Sequence, residues 1–143
     1  MQSLMNVSVR CEYALRATLD LALADPGVPV RIADIARRQE IPQKFLETIL
    51  ADLKKQGFLE SRRGADGGYL LPKSPDSITV GQVIRGIEGN RTGRSAAADA
   101  GPLDFFWAGV DKAIAQVIDN TDFATLARAW RERQSRFVPN WEI

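Results

Sequence analysis

One segment, residues 32–71, constrains the fold of this chain more than any other part of the sequence. Its apolar residues recur at helical spacing and predict a short helix over 32–38 and a second helix that begins at Pro42 and ends at Gly57. A glycine-rich stretch with two arginines follows between two short apolar runs, which predicts a β-hairpin. Two helices joined by a tight turn, with a hairpin beside them, are typical of a winged helix-turn-helix, whose second helix can enter a DNA major groove. DNA binding is therefore the leading hypothesis.

The other elements are predicted to be helices. Periodicity and capping patterns place them at 13–24, at 80–88 behind a capping box of Thr79 and Gln82, from Leu103 onward, and at 122–133 with Thr121 as the cap. The predicted fold class is mainly α with a small β-hairpin wing, that is, a winged helix-turn-helix plus a C-terminal dimerisation helix. The predicted division is a DNA-binding domain at 1–89, a flexible loop at 90–102, and the dimerisation and C-terminal helices at 103–143.

Two side-chain arrangements are also predicted in the helices. Arg16 and Asp20 are four residues apart on the first helix and are expected to pair on its surface. Trp130, on the last helix, is expected to face the core together with Phe123 and Leu126.

Composition limits the classes of function. The chain has 143 residues, of which 45% are hydrophobic and 26% charged, as in an ordinary globular domain. A single cysteine excludes an internal disulfide framework, and the lack of histidine removes His-based acid–base catalysis and the usual zinc ligand sets. No nucleophile–base pair or cofactor loop is recognisable, so an enzyme is not expected. Without an apolar span or a secretory signal pattern at 1–9, the expected location is the cytoplasm, with no membrane partner.

The charge of the chain is small but unevenly distributed. The net charge is only +1, which counts mildly against DNA binding because phosphate neutralisation dominates affinity. Residues 42–73, however, contain six basic against four acidic side chains, a local excess of two positive charges. A dimer would double this excess.

The second helix of the motif offers side chains suited to base edges near its start. The candidates off its apolar stripe are Gln43, Lys44, Glu47 and Thr48. Gln can bond adenine, Lys can reach guanine, and Glu can accept from the cytosine amine. The alternative is a solvated helix face. For Lys54 and Lys55, at the far end, DNA contact and solvation are equally good interpretations.

The wing is predicted from an Arg-Arg-Gly-x-x-Gly-Gly-Tyr string. Its candidate DNA-binding residues are Arg62, Arg63, Gly64, Gly67 and Gly68. Arginines suit phosphates or a narrow minor groove, and glycines let a hairpin turn tightly and approach a backbone closely. The alternative is an ordinary turn with surface arginines.

The helix predicted after Leu103 carries more apolar side chains than a fully solvent-exposed helix would, so its apolar face is expected to pack against another surface. Its predicted dimer-interface residues are Phe106, Val110, Ala113, Ile114 and Val117. Pairing of two such helices around a two-fold axis would place two recognition helices on successive half-sites of the DNA. The alternative is that the helix covers its own core.

Cys11, in the first helix, is interpreted as a buried apolar side chain, with a redox-reactive thiol as the alternative.

A family resemblance rests on a joint match of many short strings. They are residues 7–9 (Val-Ser-Val), 13–17 (Tyr-Ala-Leu-Arg-Ala), 32–36 (Ile-Ala-Asp-Ile-Ala), 41–50 around Pro42 and Phe45, 53–58 (Leu-Lys-Lys-Gln-Gly-Phe), 63–71 with Gly67 and Gly68, and 78–84 (Ile-Thr-Val-Gly-Gln-Val-Ile). Together they resemble the Rrf2 family of bacterial transcription regulators, the family of the IscR, NsrR and CymR regulators. The resemblance implies a homodimeric winged-helix regulator that reads bases through residues 43–47 and contacts DNA through the wing at 62–68.

The chain departs from the family pattern in one informative place. Cluster-binding members carry three closely spaced cysteines before the dimer helix, and residues 90–103 here contain no cysteine and no histidine. The resemblance therefore implies the cluster-free, CymR-like branch and no cofactor. The expected partners are double-stranded DNA and a second copy of the chain, with a small-molecule effector or a metabolic-enzyme partner left open as the signal. The expected function is a repressor on a palindromic operator; the alternative is a winged-helix protein-interaction module without DNA binding.

Overall fold

The computed structural model describes residues 6–89 and 101–136. The elements in chain order are α1 (Val9–Leu23), α2 (Ile32–Gln39), α3 (Gln43–Lys55), β1 (Glu60–Arg62), β2 (Gly68–Leu70), a 3₁₀ turn (Pro75–Ser77), α4 (Val80–Glu88), α5 (Asp104–Asp119) and α6 (Phe123–Arg136). Over these residues the architecture is mainly helical with one two-stranded antiparallel hairpin and two C-terminal helices, so the predicted mainly α class with a hairpin wing is confirmed, whereas the dimerisation role of the C-terminal helix stays a prediction. Within the described ranges, no helix is long and apolar enough to cross a membrane.

Helix α1 is the centre of the core and packs against α2, α3, α4 and α6. It begins four residues before the predicted start because the side chain of Ser8 accepts a hydrogen bond from the backbone N–H of Cys11 and caps the helix. The small side chains of Ala14, Ala17 and Thr18 are fully buried, which lets the neighbouring helices approach closely.

The two helices of the predicted motif are present. Glu40 adopts a left-handed backbone conformation with φ of 54°, which turns the chain between α2 and α3. Pro42 directly precedes α3, and Gly57, with φ of 87°, follows its end. The apolar stripe of α3 predicted from periodicity is buried; it consists of Leu46, Ile49, Leu50 and Leu53.

The wing is a short hairpin. β1 pairs antiparallel with β2, with Ser61 opposite Tyr69 and Arg62 opposite Gly68. The predicted apolar runs begin and end near these strands but are offset by one or two residues. An isolated bridge between Val30 and Tyr69 joins the hairpin to the segment before α2.

The predicted N-terminal cap is present in α4 but not in α6. The capping box of Thr79 and Gln82 at the start of α4 is confirmed. At α6 the predicted cap is wrong, since Thr121 donates back to the carbonyl of Val117 while the carboxylate of Asp122 accepts from the backbone N–H of Thr125. Phe123 and Ala127 of α6 are buried in the core. Trp130 is 43% exposed, so the prediction that it faces the core is wrong.

Helix α5 contains no buried residue and packs against α4. Arg85 of α4 and Asp119 of α5 form an ion pair, with a second hydrogen bond of 3.0 Å between Nη2 and Oδ2. The predicted loop at 90–102 lies mostly outside the described residues, and residues 101–103 form the turn that leads into α5. The predicted domain division at 90–102 stays a prediction.

The predicted surface pair of Arg16 and Asp20 is wrong. Arg16 pairs with Glu12, at 3.1 Å. The side chain of Asp20 is only 3% exposed and accepts hydrogen bonds of 3.0 and 2.8 Å from Arg38 and of 2.9 Å from Gln39. Asp20 therefore ties the end of α2 to α1, and its hydrogen bond raises the pKa of Arg38 above the usual range.

Candidate nucleic-acid interface

The first turns of α3 present the predicted base-reading side chains to solvent. Gln43, Lys44, Glu47 and Thr48 are all exposed, on the side of the helix away from its buried stripe. The side chains of Gln43, Lys44 and Glu47 make no hydrogen bond or ion pair with another described residue. Their donors and acceptors are therefore available to a ligand.

Thr48 differs from the other three. Its hydroxyl donates to the carbonyl of Phe45 at 2.9 Å and accepts from Nη1 of Arg10 at 3.4 Å. Because its hydrogen bonds are already made within the protein, Thr48 has less to offer a base edge than Gln43 or Glu47.

Arg10 is a residue that sequence reasoning missed. It lies in the first turn of α1, and its Nη2 donates to Asp52 of α3 at 2.9 Å. The amide of Gln56, and after it the guanidinium of Arg10, hold the pKa of Asp52 below its usual range despite partial burial. Arg10 thus lies at the edge of the exposed face of α3, with its charge paired to the carboxylate of Asp52. No local pattern indicates this contact, since 42 residues separate the partners.

An aromatic contact fixes the exposed Phe45. Its ring meets that of Tyr13 edge-to-face with centroids 5.6 Å apart, and the guanidinium of Arg16 lies 5.7 Å from the Tyr13 centroid. Phe45 remains 40% exposed, so an apolar surface lies among the polar candidates of α3.

The arginines of the wing are exposed. Among the described residues, the side chain of Arg62 makes only long contacts, 3.5 Å to the carbonyl of Gly27 and 3.8 Å to Glu60. Arg63 has no hydrogen bond or ion pair with any other residue in the described ranges. Both guanidinium groups can therefore contact phosphate without breaking a strong interaction.

Different structural constraints favour glycine at the three glycine positions of the wing. Gly64, with φ of 111°, faces open space. A Cβ on Gly67 would lie 2.2 Å from the carbonyl oxygen of Arg62, and one on Gly68 would lie 2.4 Å from that of Val30. Gly67 and Gly68 are thus required by close approach of the protein's own backbone, whatever the wing binds.

Four of the predicted dimer residues form a single stripe on α5. Phe106, Val110, Ala113 and Val117 follow the alternating spacing of four and three residues that is typical of paired helices. Phe106 is 57% exposed and Val117 is 65% exposed. Ile114 is half-buried and lies on the neighbouring side of the helix, away from the centre of this stripe.

A groove lies on the described part of the chain away from the exposed face of α3. It has a volume of about 1020 Å³ and runs between α1, α2, the wing turn and α6, with Leu19, Arg38, Asp66 and Trp130 among its lining residues. None of the predicted base-reading residues lines it.

Cys11 is fully buried in α1, in agreement with its interpretation as a core residue. Burial, followed by the nearby charges of Glu88 and Glu12, raises the pKa of its thiol to about 12. A raised pKa keeps the thiol protonated at neutral pH, and the thiolate is the reactive form.

We therefore expect native Cys11 to react with a thiol reagent at pH 8 at least about tenfold more slowly than the urea-unfolded chain. Absorbance of the released chromophore measures both rates on the same sample. Equal rates in the native and unfolded protein would show that the thiol is accessible and ionisable.

Known proteins with the same fold and sequence pattern are transcription regulators. The family model described as Rrf2, iron-dependent transcriptional regulator, matches residues 7–129. A protein of Synechocystis sp. that carries the name of an HTH-type transcriptional regulator is 33% identical over 134 residues, 94% of this chain and 80% of that protein. IscR of Escherichia coli is 43% identical over 84 residues, 59% of this chain and only 52% of IscR.

Two solved structures extend the similarity to nearly the whole chain. CymR (YrzC), the global cysteine regulator of B. subtilis, superposes with a TM-score of 0.80 at 30% identity and covers 87% of this chain and 97% of its own. T. potens IscR gives a TM-score of 0.79 at 33% identity, with 96% and 95% covered. These relatives are regulators and not enzymes. The chain is thus a DNA-binding transcription regulator that belongs to the Rrf2 family.

Proposed function

We propose that this regulator is a homodimeric repressor that binds an imperfectly palindromic operator. Each α3 enters a major groove and each wing contacts the flanking backbone, so that the bound dimer blocks access to the DNA. The observation that carries the proposal is the start of α3, where the side chains of Gln43, Lys44 and Glu47 are exposed and have no hydrogen-bond or ion-pair partner among the described residues. Because its target is chromosomal DNA, the location we propose is the cytoplasm.

We expect base reading and backbone contact to be separable. Replacing Gln43 or Glu47 by Ala removes a base-edge partner, so it should cost about 1–3 kcal/mol of operator binding and relax preference at one position per half-site. Replacing Arg62 or Arg63 by Ala should weaken all sequences evenly and flatten the dependence of log K on log salt, since fewer counterions are released. Binding isotherms on operator and scrambled duplexes at several salt concentrations measure both effects.

A control variant is available away from the proposed DNA face. Ala108 is exposed on α5, opposite the stripe of Phe106 and Val117, so Ala108→Ser should leave affinity and salt dependence within about twofold of the original protein. The division of roles fails if the arginine variants lose only operator preference while the Gln43 and Glu47 variants lose affinity uniformly.

Helix α5 supports the dimer. A 16-residue helix without a buried residue, with large apolar side chains on one stripe, exposes surface that a second copy of the same stripe can cover. We place Phe106, Val110, Ala113 and Val117 at the centre of this interface and Ile114 at its edge. We also propose 1–89 as the DNA-binding unit and 103–143 as the helices that carry dimerisation.

The residues of this chain do not fit an iron-sulfur cluster. A cluster is held by several cysteine thiolates, and the sequence contains one cysteine, Cys11, which is buried inside α1 with its thiol protonated. Among residues 6–89 and 101–136, no group of three Cys, His, Asp or Glu side chains could hold a metal. We propose that the protein binds its operator without a cluster.

This proposal is tested on protein purified without oxygen. We expect it to be colourless, to contain less than about 0.1 iron per chain, and to bind operator equally before and after treatment with a chelator, since only one thiol is present. A visible absorption band with stoichiometric iron would contradict the cluster-free assignment.

The signal that releases the operator is then a small molecule or a partner protein. The alternative raised by the sequence, a winged-helix module that binds a protein instead of DNA, is not favoured, because the family consists of DNA-binding regulators. Salt dependence tests this, since duplex binding by a regulator weakens steeply as salt rises, whereas binding in an apolar groove does not.

A further inference from the structure

The wing is held to the domain by the segment that precedes α2. Val30 and Tyr69 exchange two backbone hydrogen bonds of 2.8 Å, so that residue 30 pairs with the outer edge of β2. Farther along the hairpin, Nη2 of Arg31 donates a 2.5 Å hydrogen bond to the carbonyl oxygen of Ala65. Ala65 lies in the turn between the two strands, next to Gly64. Arg31 therefore connects the start of α2 to the tip of the wing.

The turn has few other restraints. Each strand of the hairpin is three residues long, and an isolated two-stranded hairpin is marginally stable in water. The turn makes one backbone hydrogen bond of its own, 3.0 Å from the N–H of Gly67 to the carbonyl of Gly64. Within the described ranges, the bond from Arg31 is the one side-chain hydrogen bond that reaches residues 63–67. Without it, the turn and the adjoining Arg63 would sample more conformations.

We propose that Arg31 is a positioning residue for DNA binding, which holds the wing turn so that Arg63 meets the phosphate backbone. This inference rests on the proposed role of the wing. A side chain that is ordered before binding loses less conformational entropy on contact with its partner, so removing the Arg31 contact weakens the grip of Arg63. The alternative is that Arg31, which is itself exposed, contacts a phosphate independently of the wing.

A double-mutant cycle separates the two possibilities. The variants are Arg31→Ala, Arg63→Ala and the double replacement, titrated with a duplex selected by this protein from a random pool. We expect Arg63→Ala to lower affinity about tenfold in the original background and less than about twofold in the Arg31→Ala background, because the positioned contact is already lost. Additive effects of the two replacements would show that Arg31 acts on its own and would overturn the inference.

The cycle also distinguishes this inference from the proposed role of the wing. If Arg63→Ala has no effect in either background, Arg63 does not contact DNA and its proposed role in the wing fails. If Arg63→Ala lowers the affinity for DNA while Arg31→Ala leaves it unchanged, only the positioning role of Arg31 fails. Arg37→Ala is the matched control, since Arg37 lies on α2, is 73% exposed, and among the described residues pairs only with Asp34, at 3.3 Å.

Hydrogen exchange on the free protein gives a readout that loss of stability alone would not. We expect Arg31→Ala to speed exchange at the backbone N–H of Gly67 by about fivefold or more, while the amides of α1 keep their protection. Arg37→Ala should leave both regions unchanged. Equal acceleration in the wing and in α1 would show a general loss of stability and would contradict a specific hold on the turn.

Discussion

Val110→Glu in α5 is expected to convert the proposed dimer into monomers and to lower operator affinity about 100-fold or more. The replacement brings two carboxylates together at the middle of a stripe that otherwise presents Phe106, Ala113 and Val117. Burying unpaired like charges is unfavourable, and separation of the protomers removes the gain from binding two half-sites at once. Sedimentation velocity at micromolar concentration measures the association, and operator titration measures the affinity.

Ala108→Glu is the matched control for this effect. It introduces the same charge on the same helix, but Ala108 is exposed and lies nearly opposite the stripe. We expect this variant to remain dimeric. A wild-type protein that sediments as a monomer, or a Val110→Glu protein that stays dimeric, would exclude α5 as the interface.

The second large effect concerns Asp20, whose carboxylate is buried beneath α2. Asp20→Ala removes the acceptor of three hydrogen bonds from Arg38 and Gln39. We expect a loss of about 2–3 kcal/mol in the free energy of unfolding, because these hydrogen bonds are lost. The loss is not larger, since Arg38 is partly exposed and its guanidinium can be hydrated again. Denaturant titration followed by circular dichroism measures the change, and operator binding should weaken because α2 is no longer fixed to α1.

An exposed ion pair on α2 provides the comparison. Asp34 contacts Arg37 at 3.3 Å, three residues along the helix, and the side chains are 44% and 73% exposed. Asp34→Ala should change the unfolding free energy by less than about 0.5 kcal/mol. A similar loss for the two variants would show that burial of Asp20 contributes little.

The elements of the winged motif could be predicted because their signals are local. The buried stripe of α3 repeats at helical spacing, and the capping box joins Thr79 to Gln82 only three residues away. The arginines of the wing stand beside glycines that break regular structure. The solvent-facing half of the candidate site followed from the same patterns, because residues off an apolar stripe face outward.

The contacts that organise the site could not be predicted, because they join distant parts of the chain. Asp20 was expected to pair four residues away, but its partners are 18 and 19 residues away on α2. Arg10 reaches Asp52 across 42 residues, and Arg31 reaches Ala65 across 34. In each case several partners satisfy the same charge or hydrogen bond, and only tertiary packing selects one of them.

The corner between α5 and α6 has a consequence for the DNA that the proposed dimer accepts. Val80 and Phe123 donate backbone hydrogen bonds of 2.8 and 3.0 Å across this corner, to Thr121 and Ile78, and Arg85 holds the end of α5. In the proposed dimer, which pairs through α5, these contacts would fix each DNA-binding unit relative to α5 and so set the distance and angle between the two copies of α3. One base pair inserted between half-sites shifts the second by about 3.4 Å and rotates it by about 35°. The helical phase of the operator then becomes part of what is recognised, although no side chain touches the inserted pair.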